Sequence, residues 1–179
     1  MTDVQTYTLG QIADLLSSDT AFAGMPRAQA MRIVEMMSMR EYAKGQVLMR
    51  QGQENNGYLM LVVSGQATLK SQLVNSIDTM VHRRAVPGHL MGEVGFIDGE
   101  PHSASCIADT DMHVAVLPRQ QLSLMLDSQP QAATQLMAGL LKILAHRVRH
   151  ANMMTQTLAV VHAGLQNEIA VLRKAPGHS

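Results

Sequence analysis

The residues best suited to chemistry lie between positions 92 and 103. Gly92-Glu93-Val94-Gly95-Phe96 combines two glycines, a carboxylate and two apolar side chains in five positions. A residue without Cβ at Gly92 lets the backbone approach a bound group closely. Backbone N–H groups on a turn from Gly95 to Asp98 can face an anion, as donors at a helix N-terminus do. Glu93 offers an acceptor for a hydroxyl; the competing reading makes it an exposed turn carboxylate. Ser103 can donate to an anionic oxygen. His102, beside it, offers one N–H when neutral and a positive charge only below roughly pH 6.5.

Other candidates carry less. His146 and His150 stand four residues apart, a spacing that can place two metal ligands on one helix face. Arg147 and Arg149 interleave them and no third ligand is evident, so a solvated basic face, open to an anion or a partner, is the competing reading. Cys106 is the sole cysteine, which excludes an internal disulfide and points to a reducing compartment. It reads as a small core residue. No nucleophile elbow, phosphate-binding loop, dinucleotide fingerprint or carboxylate pair is present, so the chain reads as a non-enzyme with no required cofactor.

Composition narrows the classes further. Basic and acidic residues balance at 14 each, against the basic excess that phosphate neutralisation demands of a dedicated nucleic-acid binder. The first ten residues are polar rather than signal-peptide-like, and no run approaches the roughly 18 apolar residues of a membrane span. The expected location is the cytoplasm, with no membrane contact. With 179 residues the chain can bury a core without metals or disulfides. Aromatics supply only 3%, so much of the packing falls to 15 methionines, which fill irregular gaps.

Three regions must position the candidate residues. Residues 8–40 read as helical, with Thr8 capping a short helix through Leu16. Pro26 opens a second helix whose stripe is Ala30, Ile33, Val34, Met36 and Met37. Residues 45–117 read as short strands at 47–49, 58–63, 67–74, 77–86, 103–108 and 112–117. Gly45, Gly52, Gly57, Gly65, Gly88, Gly92, Gly95 and Gly99 divide them, the spacing of a barrel or roll. From Pro118 the pattern is helical again. Ser128-Gln129-Pro130 breaks a short helix from a long one that runs to about Lys174, before Pro176-Gly177 and a frayed end.

The long helix carries a 4-3 repeat: Met137, Leu141, Leu144, Val148, Ala151, Thr155, Leu158, His162, Leu165, Ile169 and Leu172. All but Thr155 and His162 are apolar, the pattern of a left-handed coiled-coil seam. At 1.5 Å per residue it extends roughly 54 Å, further than one domain of this size can cover. The expectation is a homodimer through residues 137–172. A polar residue such as His162 on the seam can fix register at a cost in stability. Gly139 and Gly164 lie off the seam and would each weaken the helix by roughly 1 kcal/mol.

The ordered glycines Gly45, Gly52 and Gly65, the alternating strand Tyr58, Leu59, Leu61 and Val63, the Pro87-Gly88 turn and the Met91 to Phe96 cassette together resemble one family. Pro118-Arg119 falls where its next helix begins. It is the cyclic-nucleotide-binding domain of catabolite-activator (Crp/Fnr-like) regulators, protein kinase A regulatory subunits and gated channels. The resemblance covers residues 8 to about 152. It implies an α+β fold, a jelly-roll-like β-roll with N-terminal helices and a long C-terminal dimerisation helix. The implied parts are a roll over 8–130, the helix over 131–174 and a disordered tail over 175–179. The implied ligand is cyclic AMP or cyclic GMP. It would be held by Gly92, Glu93, Val94, Gly95, Phe96, His102 and Ser103, with Glu93 on the ribose 2′-hydroxyl and Asn152 of the long helix near the base. A solvated helix Asn is the alternative for Asn152.

Two departures from the family matter. The pattern at 102 is Arg followed by Ser or Thr, and imidazole replaces a bidentate guanidinium. A weak pH-sensitive site, a site for another ligand and an inherited fold without a ligand all remain open. The second departure is the short stretch after Arg173, which leaves no helix-turn-helix and implies no direct DNA binding. The expected role is a regulatory sensor; the alternative is a ligand-free dimerisation adaptor for an unknown protein partner.

Overall fold

The computed structural model describes residues 7–55, 57–72 and 79–174, with side chains to 169. The expected tail over 175–179, strand positions 73, 74, 77 and 78, and the Leu172 side chain lie outside the described residues. Helix α1, Leu9–Ser18, begins at a capping box in which Thr8 and Gln11 satisfy each other's backbone N–H groups. A 3₁₀ turn, Thr20–Phe22, leads to α2, Arg27–Glu35, with Pro26 at its N-cap.

Eight strands follow among the described residues: β1 Ser38–Tyr42, β2 Val47–Met49, β3 Tyr58–Ser64, β4 Ala67–Gln72, β5 Thr79–Ala85, β6 Leu90–Met91, β7 Ser105–Ala108 and β8 Met112–Pro118. They form two four-stranded antiparallel sheets, β1-β8-β3-β6 and β2-β7-β4-β5. Their facing sides enclose an apolar core that includes Met49, Met60, Leu69, Met91, Cys106 and Met112. The fold is the expected α+β roll. Residues 38–40, read as helical, instead open β1: Ser38 pairs with Val116 and Tyr42 with Met112, a non-local ladder that overrides local pattern.

Helix α3, Glu93–Asp98, connects β6 to β7, and α4, Arg119–Ser128, follows β8. Gly95 sits within α3 and divides nothing. The long helix α5 spans Pro130–Lys174. The chain divides into two compact units, Met1–Leu140 and Leu141–Ser179. Within the first, α5 buries Ala132, Ala133, Leu136 and Leu140. Gly139 serves this packing, since a Cβ there would lie 2.0 Å from the Phe22 ring. In the second unit the seam residues Leu141, Val148, Leu158, Leu165 and Ile169 are 48–65% exposed.

Candidate functional site

Strand β6 ends at Met91 and the chain reverses into α3 through Gly92, whose φ of 80° is left-handed. A Cβ at Gly92 would meet the Tyr58 carbonyl oxygen of β3 at 2.6 Å, so packing on the sheet already requires glycine here. That fixes α3 against β3 and sets Glu93 as its first residue. The Glu93 carboxylate is 1% exposed, which removes the reading of an exposed turn carboxylate. Phe96 is equally buried and anchors the helix in the core, while Val94 is half-buried and Gly95 buried.

The donors facing outward differ in part from those expected. Within α3, Phe96 N–H donates to the Gly92 carbonyl and Gly99 N–H to that of Gly95. The Phe96 N–H, one of the donors expected on a turn from Gly95 to Asp98, is therefore satisfied inside the helix. In a helix the first N–H groups have no carbonyl behind them, and here these belong to Glu93, Val94 and Gly95.

His102 is held by its backbone. Its N–H donates to Gln53 carbonyl at 3.0 Å, and its own carbonyl accepts from Gly52 N–H at 2.9 Å. The imidazole is 7% exposed, and its Nε2 has no hydrogen-bond partner among the described residues. Desolvation by burial lowers its pKa, favouring the neutral ring. It lines a cavity of about 320 Å³ with Val47, Leu48, Met49, Arg50, Gln53 and Glu54. Ser103 follows as an exposed residue, two positions before β7 begins rather than as its first. Asn152 belongs to the second unit, exposed on α5.

Three residues enter the site that the sequence pattern did not mark. Arg83 of β5 pairs with Leu69, and Leu69 with Cys106, which in turn pairs with Met49. Partners in register share a face, so the half-buried guanidinium lies on the inner wall of the roll. Its Nη2 donates to the Leu90 carbonyl at 2.7 Å, and burial pulls its pKa below the ordinary value. Burial also pushes the Cys106 thiol up to about 12, against the opposing charge of Arg83, so this thiol stays protonated and inert. Arg119 and Asn55 meet the other end of α3: Arg119 Nε donates to Phe96 carbonyl at 2.9 Å, and both side chains donate to that of Gly95. An Arg at a helix start or an Asn in a loop gives no local sign of such a contact.

The sequence model of the family described as cyclic nucleotide-binding domain matches residues 39–129. Among solved structures, the chain is similar to the Thermus thermophilus catabolite activator protein, with 26% identity and a TM-score of 0.67. The match covers 78% of this chain and 62% of that one. A cyclic nucleotide-binding domain from Methylobacillus flagellatus KT matches at 24% identity and a TM-score of 0.71, over 79% of each chain. The regulatory domain of Toxoplasma gondii protein kinase A, crystallised with cyclic AMP, matches at 20% identity and a TM-score of 0.63. That match covers 79% of this chain and 50% of that one. These last two identities support the fold alone. No helix among the described residues is long and apolar enough to cross a membrane.

Proposed function

The chain belongs to the cyclic nucleotide-binding domain family, and from that premise we propose that it is a non-enzymatic regulatory sensor of cyclic AMP or cyclic GMP. The ligand docks at the N-terminal end of α3, and the signal passes through a homodimer of the long helices. The observation that carries this reading is Glu93, a carboxylate only 1% exposed at the start of α3. Charged side chains are rarely buried so completely, and this one is an acceptor suited to a ribose 2′-hydroxyl. Gly92, Val94, Gly95 and Phe96 build the helix that presents it, and the first N–H groups of α3 are donors for the phosphate. Ser103 adds a hydroxyl. Arg83 adds positive charge to the inner wall, which favours an anionic guest.

His102 sets the strength. A hydrogen bond to a charged group contributes about 1.5–3 kcal/mol, so imidazole in place of guanidinium lowers affinity roughly ten- to hundredfold. A bound phosphate pulls a proton back onto the desolvated ring, so affinity rises on acidification. The test is calorimetric titration of the intact protein with both nucleotides at pH 6 and pH 8, alongside Glu93→Ala and His102→Arg. Wild type should bind weakly and more tightly at pH 6. Glu93→Ala should weaken binding, and His102→Arg should tighten it and remove most of the pH dependence. Absence of binding to wild type and His102→Arg alike would overturn the sensor reading.

One observation favours a second reading. Met153, Met154, Val160 and Val161 lie off the seam of α5 and are 47–73% exposed. A dimerisation adaptor would use such a surface to hold a protein partner, and the same titration separates the two readings.

A further inference from the structure

Helix α3 has six residues, fewer than two turns. So short a helix is not stable alone, and its orientation is set by what grips its ends. At the N-terminal end the grip is Gly92 against β3. At the C-terminal end the Gly95 carbonyl accepts from the cap N–H of Gly99, while the last carbonyls of a helix have no N–H of the helix ahead of them. Arg119 grips this end. Its Nε donates to the Phe96 carbonyl at 2.9 Å and its Nη2 to that of Gly95. Its backbone N–H donates to the Gly57 carbonyl at 2.7 Å. A Cβ on Gly99, the cap of α3, would lie 3.0 Å from Nη1, so the guanidinium is packed against the helix end. Asn55 completes the arrangement: its Nδ2 donates to the Gly95 carbonyl, and its Oδ1 accepts from Gly57 N–H at 2.8 Å.

We propose that Arg119 is a positioning residue of the ligand site, fixing α3 from its far end without touching the ligand. The inference rests on the ligand reading given above. A planar fork can bond two successive carbonyls at once, and its charge suits the negative end of a helix. The donors for phosphate lie at the opposite end, about 8 Å away at 1.5 Å per residue. Releasing the C-terminal grip lets the helix tilt about Gly92, which displaces those donors and the Glu93 carboxylate together. Lysine cannot replace the fork, because one ammonium meets one carbonyl at a time in a fixed geometry.

The experiment compares wild type, Arg119→Lys, Arg119→Ala and the exposed control Gln120→Ala, all as intact chains. Two quantities are read: amide hydrogen exchange over α3 without ligand, and the affinities for cyclic AMP and cyclic GMP. The expected result is faster exchange at Phe96 to Gly99 and at least tenfold weaker binding in both Arg119 variants, with Gln120→Ala unchanged. Millimolar methylguanidinium should restore both in Arg119→Ala, which a general loss of stability would not allow. Unchanged α3 exchange, or lost protection with full affinity, overturns the proposal. If wild type binds neither nucleotide the ligand reading falls, and the exchange and rescue measurements still decide whether Arg119 holds α3. If Arg119→Ala does not fold, Arg119→Lys decides by exchange and affinity.

Discussion

Replacing Gly139 by alanine sets two effects of known size against each other. In a free helix the change gains about 1 kcal/mol, because glycine carries the larger entropic cost of helix formation. Here the new methyl would lie 2.0 Å from Phe22 Cε1 and 2.4 Å from Cδ1. Carbon atoms pack at about 3.5–4.0 Å, so well over an ångström must be found. The Phe22 ring is only 2% exposed and cannot swing into solvent. Overpacking of this kind costs about 1–3 kcal/mol, which outweighs or cancels the helical gain and leaves a net loss of up to about 2 kcal/mol. Gly164→Ala is the internal control, since nothing among the described residues lies within 4 Å of its added Cβ and only the gain remains. Urea denaturation at fixed protein concentration gives both values. Phe22→Leu should absorb part of the strain, so the double variant Phe22→Leu/Gly139→Ala should be more stable than the sum of the single effects. If Gly139→Ala stabilises the protein as much as Gly164→Ala does, the contact with Phe22 is not the reason for the glycine.

Two further outcomes follow from particular residues. His102 titrates below its ordinary value of 6.5 in the folded chain because burial disfavours its charge. The unfolded chain therefore binds the extra proton first, and stability falls as pH drops through 6.5 towards the lower folded value. Urea midpoints at pH 7.5 and 5.5 should differ less in His102→Gln than in wild type; equal slopes would show that His102 is not the group responsible. Leu158 and Leu165 are 65% and 55% exposed on α5, and the proposed dimer would bury them at its seam. Light scattering should find a dimer for wild type and a monomer for Leu158→Asp/Leu165→Asp, and a monomeric wild type would end the seam argument.

The roll was legible because its signals are local. Gly45, Gly52, Gly65 and Gly88 punctuate it, and β3 and β8 are long apolar strands. What stayed hidden depends on partners distant in sequence. Residues 38–40 read as the end of a helix because the pairing of β1 with Met112 to Val116 leaves no trace in its own pattern. Helix α3 looked like a turn because six residues are too few to establish a period. Within the candidate site, the order of Gly92, Glu93, His102 and Ser103 was readable, but burial was not. Glu93 and His102 are polar residues in a glycine-rich segment, and only the enclosing strands make them interior. Gly139 read as a weak point in a helix for the same reason, since Phe22 is more than a hundred positions away.

The reciprocal backbone bonds between His102 and the Gly52-Gln53 pair have an evolutionary consequence. They fix the path of the chain at position 102 through N–H and C=O groups that every residue except proline possesses. Side-chain identity there is thereby uncoupled from the course of the backbone. A lineage can exchange guanidinium, imidazole or an uncharged group at this point by single substitutions, retuning what the cavity tolerates while the scaffold keeps its shape.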